Sequence, residues 1–456
     1  MLRRKDVNML SGSIMKGLFA IAFPIVVMHV LQSMFNMVDM RVLKSFDTDG
    51  FAVGAVGVCS TLIGFITNMV VGISVGANAM VARHLGRKEP DDARKAAGTS
   101  VFFSALAGLA IAVIGIVGAK TFLIWTNCPE KLLSRAVLYF QMYFAGVPIL
   151  MVYNFNCAII RSSGNSKRTM TISLICGAVK VVLTYLFVGL FKGGIVGVSL
   201  ATILSWVIGF SMSWWTITRG DSTVSIKLKD VRYEKTELKE VLRIGVPSGV
   251  QMGLYSIANV IIVSTVNTFG AEATTGLSIA NTFDGIIYSL SHATSLAVLP
   301  YVSQNVGAGN IKRATQAVWK GVLLAIMLAG GTGALSAIFA PQLSSLLSDD
   351  PLVINYACQK MVIISSTYFI CGINDVIAAA LRGMGKPTVP TVATMLFMCA
   401  LRFPWVYVLF PLVPNFTFLY LVWPVGWVLC IITELIVLIP RVKYLKADHA
   451  TSPITQ

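Results

Sequence analysis

The chain is poor in charge. Only 12% of its residues are Asp, Glu, Lys or Arg, against 56% hydrophobic, whereas an ordinary soluble domain carries about 25% charged residues. The mean hydropathy is +0.77. No soluble core of 456 residues needs so much apolar surface, so a soluble globular domain is excluded and a polytopic membrane protein remains. Paired cysteines are also lacking. None of the eight Cys forms a CxxC pair and most lie in apolar runs, which reads as small buried hydrophobes rather than disulfides or metal ligands. Nucleotide motifs are missing too. "GISVGANA" lies inside an apolar run, and "GMGKP" lacks both a Ser or Thr after its Lys and a preceding strand, so ATP-driven transport is not indicated. Gly in such places permits close helix packing. The four His (His29, His84, His292 and His449) are scattered, which leaves no concentrated site for a membrane enzyme. The reading is a non-enzyme without a cofactor.

What is present is a series of apolar runs. Those long enough to cross a bilayer, about 20 residues, fall near 15–43, 52–82, 96–126, 133–160, 169–190, 195–217, 243–268, 276–304, 316–346, 353–381, 389–411 and 416–440. This predicts an all-α polytopic membrane protein of twelve transmembrane helices. The N-terminal "MLRRKDVNML" is basic, and the run after it is too long for a signal h-region, so it reads as a retained first span. The longest polar segment, 218–242, reads as a linker between halves. The expected organisation is 1–217 as an N-terminal six-helix lobe, 218–242 as a cytoplasmic linker, 243–441 as a C-terminal six-helix lobe and 442–456 as a cytoplasmic tail.

The net charge of +16 could suggest nucleic acid, but its distribution points to topology. Six basic residues (Arg41, Lys44, Lys120, Lys131, Arg135 and Lys192) lie in the odd-numbered loops, and Lys180, Lys360 and Arg402 lie within spans. The remainder of the 36 Lys and Arg fall with the two termini and the even-numbered loops. That asymmetry places both termini in the cytoplasm of a multi-pass protein in the cell inner membrane. Nucleic acid is not an expected partner; the lipid bilayer is.

The two halves resemble each other. "VARHLGRKEPDDARKAAG" parallels "VSQNVGAGNIKRATQAVW": Gly86 matches Gly307, Ala93 matches Ala314 and Ala96 matches Ala317, all 221 residues apart. "RSSGNSKRT" matches "RGMGKPTVP" with the same offset, Arg161 to Arg382 and Gly164 to Gly385. Nearer the start of each half, Pro24 matches Pro247 and Asn36 matches Asn259, now 223 apart. The matches recur at the same span number in each half, which makes them a repeat. Six spans per half give a parallel repeat and two pseudo-symmetric lobes. Transporters built this way bind cargo between lobes and rock them to alternate access.

Only four acids lie within spans: Asp39, Asp284, Asp375 and Glu434. A charge at mid-bilayer costs about 3 kcal/mol on insertion scales, so each is a functional candidate. His29, Gln32, Asn36 and Asp39 fall within an arc of roughly 80° on the first span. A carboxylate there can bind Na⁺ by oxygen coordination or take up a proton, and Asn36 can add a neutral oxygen. The second half carries Ile262 in place of the acid, which restricts this site to the N-terminal lobe. Asp284 shares a short polar face with Asn281 and Tyr288. Asp375 and Arg402 suggest either an Asp–Arg clamp between helices or direct substrate contact. Glu434 is expected in the interfacial zone at the end of the last span. Asn154 and the tyrosines Tyr139, Tyr143 and Tyr153 add polar and aromatic groups on the fourth span.

The runs "FPIVVMHVLQSMFNMVDM", "GISVGANAMVARHLGRKEPDDARKAAG", "ILMVYNFNCAIIRSSGNSKR", "IGVPSGVQMGLYSIANV", "YVSQNVGAGNIKRA", "YFICGINDVIAAALRGMGKP" and "LRFPWVYVLF" together resemble the multidrug and toxic compound extrusion (MATE) family over nearly the whole chain and in the right order. The resemblance implies a secondary antiporter that expels small organic molecules, mostly cationic and amphipathic, against inward H⁺ or Na⁺, acting as a monomer. It implies coupling at Asp39, the acid of an N-x-x-D motif, with Tyr139 near that site. The polar faces read from the residues give an expected substrate cavity drawing on His29, Gln32, Asn154, Asn259, Asp284, Asp375 and Arg402, and the resemblance adds that members carry positions similar to Asp375 and Arg402. One departure is visible. Where many members carry an Asn and an Asp four residues apart in the fifth span, this chain has Lys180 and Thr184. Lys180 either pairs with Asp39, which favours H⁺ over Na⁺, or snorkels to an interface. The rival readings are a lipid-linked oligosaccharide flippase of the same wider superfamily, a membrane enzyme, and a channel or receptor.

Overall fold

The computed structural model describes residues 7–46, 51–126, 128–219 and 224–451. The side chains of Asn36 and Asp39, and with them the acid expected to couple transport, lie outside the described residues. Twelve long helical spans follow one another, and no strand occurs among the described residues. In the first half they are α1 Ile14–Phe46, α2 Phe51–Gly86, α3 Pro90–Trp125, α4 Glu130–Ser162, α5 Ser166–Leu190 and α6 Gly194–Thr218. In the second they are α7 Lys235–Asn267, α8 Ala271–Gly307, α9 Ile311–Ile338, α10 Pro351–Gly383, α11 Thr388–Leu412 and α12 Phe416–Ala447. Among the described residues eleven of these are long and apolar enough to cross a membrane. The exception is α8, which has the length, at 37 residues, but dilutes its apolar run with Asn281, Asp284, Ser289, Ser291 and His292. The chain is a multi-pass membrane protein.

The repeat is visible in the backbone. α1 and α7 are each 33 residues long, as are α4 and α10. The tight turns recur as well. Lys88 and Gly309 have φ of 60° and 73°, and Gly164 and Gly385 have φ of 87° and 80°. Both pairs are 221 residues apart, and both need the left-handed region that favours glycine.

The chain divides into two compact units. One contains Val27–Val81 and Glu89–Gly249; the other contains Val7–Val26, Ala82–Lys88 and Val250–Gln456. The polar segment after α6 thus belongs with the first unit, and the start of α1 with the second. The first unit is built on Leu123, Phe140, Phe144 and Val147, with Phe140 stacked on Phe144 at 4.4 Å. The second is built on an aromatic core that includes Tyr368, Trp405, Tyr420 and Trp427. In that unit the end of α2 meets the end of α8 through a reciprocal pair of glycines. A Cβ on Gly86 would lie 2.0 Å from the Gln304 carbonyl oxygen, and one on Gly307 would lie 2.1 Å from that of Arg83. Gly86 and Gly307 occupy equivalent places, as do Arg83 and Gln304, so the contact is its own mirror under the repeat. The start of α1 is pinned to this unit by Arg313. Its Nε donates to the Met9 carbonyl at 2.9 Å and its Nη2 to the Ser11 carbonyl at 2.7 Å.

Candidate functional site

In the second unit, four helices line a half-open cavity of about 310 Å³. Helical periodicity explains the lining. α7 contributes Tyr255, Asn259, Ile262 and Val263; α8 contributes Leu277, Asn281, Asp284, Gly285 and Tyr288; α10 contributes Lys360, Ile364 and Tyr368. Each set repeats at three, four or seven residues, which puts it on one helix face. Trp423 of α12 completes the wall.

The charged centre is an ion pair. Lys360 Nζ lies 2.8 Å from Asp284 Oδ2, with side chains only 5% and 10% exposed. Lys360 also donates to Asn281 Oδ1. The other carboxylate oxygen of Asp284 accepts from Ser365 Oγ at 3.4 Å. Two charges are stable in so little solvent only when paired and hydrogen-bonded, and these are both.

Behind the wall lies a second cation. Arg402 is 1% exposed and donates from Nη1 to Asn259 Oδ1 at 2.7 Å. Its guanidinium sits 4.9 Å from the Trp423 ring centroid and 5.4 Å from that of Tyr255, within cation–π range. The backbone of α11 delivers it there. Wide π-turns at Met395–Ala400 and Trp405–Leu409 flank Arg402–Pro404, and Leu401 N bonds five residues back to Leu396 O at 2.9 Å. Such turns shift the face a helix presents, and Pro404 has no N–H with which to restore the regular ladder.

The expected clamp between Asp375 and an arginine is not formed. Asp375 accepts from Ser291 Oγ of α8 at 2.8 Å. Arg382 donates to Gln251 Oε1 at 2.7 Å, and Gln251 Nε2 in turn donates to Thr394 Oγ1 at 2.7 Å. Arg402 is held by an amide and two rings. Glu434 also departs from expectation. It is fully buried rather than interfacial; α12 packs against α9, α10 and α11.

Of the sequence candidates, the cavity brings together Asn259 and Asp284, with Arg402 behind Asn259. His29, Gln32, Asn154, Tyr139, Lys180 and Thr184 belong to the first unit and do not line it. There, Gln32 is exposed and His29 half-buried, and Asn154 Nδ2 bonds the carbonyl of Leu150 at 2.9 Å. The Tyr139 ring lies 6.5 Å from that of Tyr143, whose hydroxyl shares a 2.9 Å hydrogen bond with Thr67. Thr184 is buried and donates to the carbonyl of the half-buried Lys180 at 2.9 Å. Sequence reasoning placed Lys360 within a span but gave it no role, and it missed Tyr255, Tyr368 and Trp423. The spacing of Lys360, Ile364 and Tyr368 at successive fours was the available signal.

A family model described as MatE matches residues 24–186 and again 247–408, so the match itself is duplicated. The chain is similar to "Probable multidrug resistance protein YoeA" of Bacillus subtilis, 24% identical over 405 residues and covering 87% of each chain. It is 25% identical over 403 residues to "Probable multidrug resistance protein YpnP" of the same organism, covering 88% of this chain and 89% of that one. Its fold matches a solved structure described as the outward-facing conformation of a multidrug resistance MATE family transporter, with a TM-score of 0.89 at 20% identity over 98% of this chain and all of the other.

Proposed function

This chain is a member of the MatE family of transporters, and we propose that it is a secondary active antiporter for multidrug efflux, exporting amphipathic organic compounds by alternating access against inward H⁺. The observation that carries the reading is the family match, made twice in one chain and in register with the twelve spans. The names of YoeA and YpnP support efflux as the activity. The lipid-linked oligosaccharide flippase is not favoured by these relatives. The distribution of Lys and Arg supports a cell-membrane location with both termini cytoplasmic. The working unit is a monomer that needs no cofactor beyond the coupling ion, with lobes bounded at 217 and 243.

Asp39 is the coupling group, assisted by Asn36, Lys180, Thr184 and Tyr139. The second repeat supports this assignment. The two family matches begin at 24 and 247 and end at 186 and 408. At the offset of 223 Asn36 corresponds to Asn259 and Asp39 to Ile262; at the offset of 222 given by the match ends Lys180 corresponds to Arg402, one residue from Leu401, its counterpart at the offset of 221 that relates Gly164 to Gly385. In the second repeat the fifth-span cation bonds the first-span Asn. The same relation carried to the first repeat directs Lys180 toward Asn36, with Asp39 one turn further on. An ammonium there takes the space of Na⁺, and protonation of Asp39 releases it, which makes H⁺ the coupling ion.

The test is dye efflux from vesicles containing the purified protein. A pH gradient drives efflux, a Na⁺ gradient alone does not, and Asp39→Asn brings driven efflux down to that of protein-free vesicles. Efflux driven by Na⁺ and not by pH, or an unchanged rate in Asp39→Asn, overturns the proposal.

A further inference from the structure

The resemblance implies cationic cargo, but the cavity of the second unit has the opposite chemistry. We infer that it takes a small aromatic anion, a carboxylate or sulfonate on an apolar ring body. The inference rests on the exporter reading for its purpose and concerns only what this cavity binds.

Asp284 is the one acid in the lining, and both its oxygens are engaged, by Lys360 and Ser365. An organic cation entering here meets a carboxylate whose two oxygens each already hold a donor, and it has to share Asp284 with Lys360. The two asparagines are oriented by their neighbours. Lysine and arginine only donate, so Lys360 fixes the Asn281 oxygen toward itself and Arg402 fixes the Asn259 oxygen toward itself. Each amide keeps both N–H donors and one oxygen lone pair to offer elsewhere. Lys360 has three N–H donors, of which Asp284 and Asn281 take two. Asp375, another acid on these helices, is tied to Ser291.

Charge is divided. Asp284 cancels Lys360; of the two deeper groups beside the lining, Asp375 acts on Tyr288 and Tyr255 but is tied to Ser291, while Arg402 stands behind Asn259 with no carboxylate bonded to it and with Nη2 lacking any hydrogen-bond partner among the described residues. A fixed cation beside a low-dielectric cavity attracts negative charge. The remaining walls are aromatic and aliphatic, and about 310 Å³ lies at the lower end of small-molecule cavities, roughly 300–1,000 Å³. A two-ring body fits that space.

The experiment is calorimetric titration of the purified full-length protein with naphthalene-2-sulfonate and, separately, with a naphthyl-trimethylammonium of matched size. The sulfonate is expected to bind and the ammonium not. Lys360→Gln leaves Asp284 unpaired, so the informative variant is the double Lys360→Gln, Asp284→Asn, which stays neutral. It keeps its melting temperature and binds the sulfonate about tenfold more weakly, as loss of a charged hydrogen bond predicts. Preferential binding of the ammonium, no binding of either probe up to millimolar concentration, or unchanged sulfonate affinity in the double variant overturns the inference. The exporter reading fails separately. If the sulfonate binds but neither gradient moves it or a cationic dye across vesicles, export is wrong and the site stands. If a cationic dye is pumped and the sulfonate does not bind, the reverse holds.

Discussion

The two units carry copies of one repeat and have spent their polar residues differently. In the second, charges sit deep among the helices and are satisfied across helices, Lys360 by Asp284 and Arg402 by Asn259. In the first, the described cross-helix bonds are mostly between neutral groups, Tyr143 with Thr67, Tyr153 with Ser173 and Asn156 with Ser213, and Asn154 and Thr184 bond within their own helix. What the copies share is packing. Ala93, Ala96, Ala314 and Ala317 are all fully buried, and Gly86 and Gly307 make reciprocal backbone contacts. The difference teaches where duplication constrains a membrane protein. Close helix approach tolerates no added methyl, so both copies keep it. A polar side chain needs only some partner, so the copies diverge.

The strongest way to break this comparison is to unbalance the second unit. Lys360→Met leaves the Asp284 carboxylate buried without its counter-ion. Removing one partner of a buried pair costs about 3–5 kcal/mol, while replacing both by apolar groups is often neutral. The expected outcome is a large fall in the melting temperature of the detergent-solubilised protein for Lys360→Met, recovered by adding Asp284→Leu. A single variant as stable as the double would show that the pair is solvated and the contrast between units is false.

The shared packing is tested next. In Gly86→Ala the new Cβ falls 2.0 Å from a backbone oxygen, and a carbonyl cannot swing aside as a side chain can. Overpacking of this kind costs about 1–3 kcal/mol, occasionally more. Gly307→Ala meets the equivalent oxygen at 2.1 Å and is expected to lose a similar amount by the same melting measurement. Unequal losses would mean that the repeat is no longer symmetric where it looks most so.

How much of this was legible follows from range. The spans could be read because a bilayer demands that each backbone donor and acceptor be satisfied within its own segment, and a long apolar run declares that locally. The repeat could be read because Gly86 and Gly307, or Gly164 and Gly385, hold positions where other residues are strained or excluded. The Asn281, Asp284 and Tyr288 stripe was legible because it lies on one helix. Lys360 was not assigned because its partner is on another helix, and periodicity gives a residue's face but not its neighbour. Arg402 was paired with the wrong group because the π-turns on either side of it turn its face away from a regular helical projection. Glu434 was placed at the interface by its position along the span, while its burial depends on how α12 meets the helices around it.

The smallest effect sharpens the first unit's side of the comparison. Thr67 and Tyr143 join α2 to α4 by one neutral hydrogen bond of 2.9 Å, and the Tyr143 ring is braced edge-on by Trp206 of α6 at 5.0 Å. Thr67→Val keeps the shape and removes the hydroxyl. A neutral bond of this kind contributes about 0.5–1.5 kcal/mol, and because Tyr143 remains held by aromatic contact, the loss should lie at the lower end. The melting temperature is expected to fall by a small fraction of the Lys360→Met change. If Thr67→Val costs as much as unbalancing the ion pair, neutral bonds in the first unit are as consequential as charges in the second, and the division between the two units is one of residue type and not of energy.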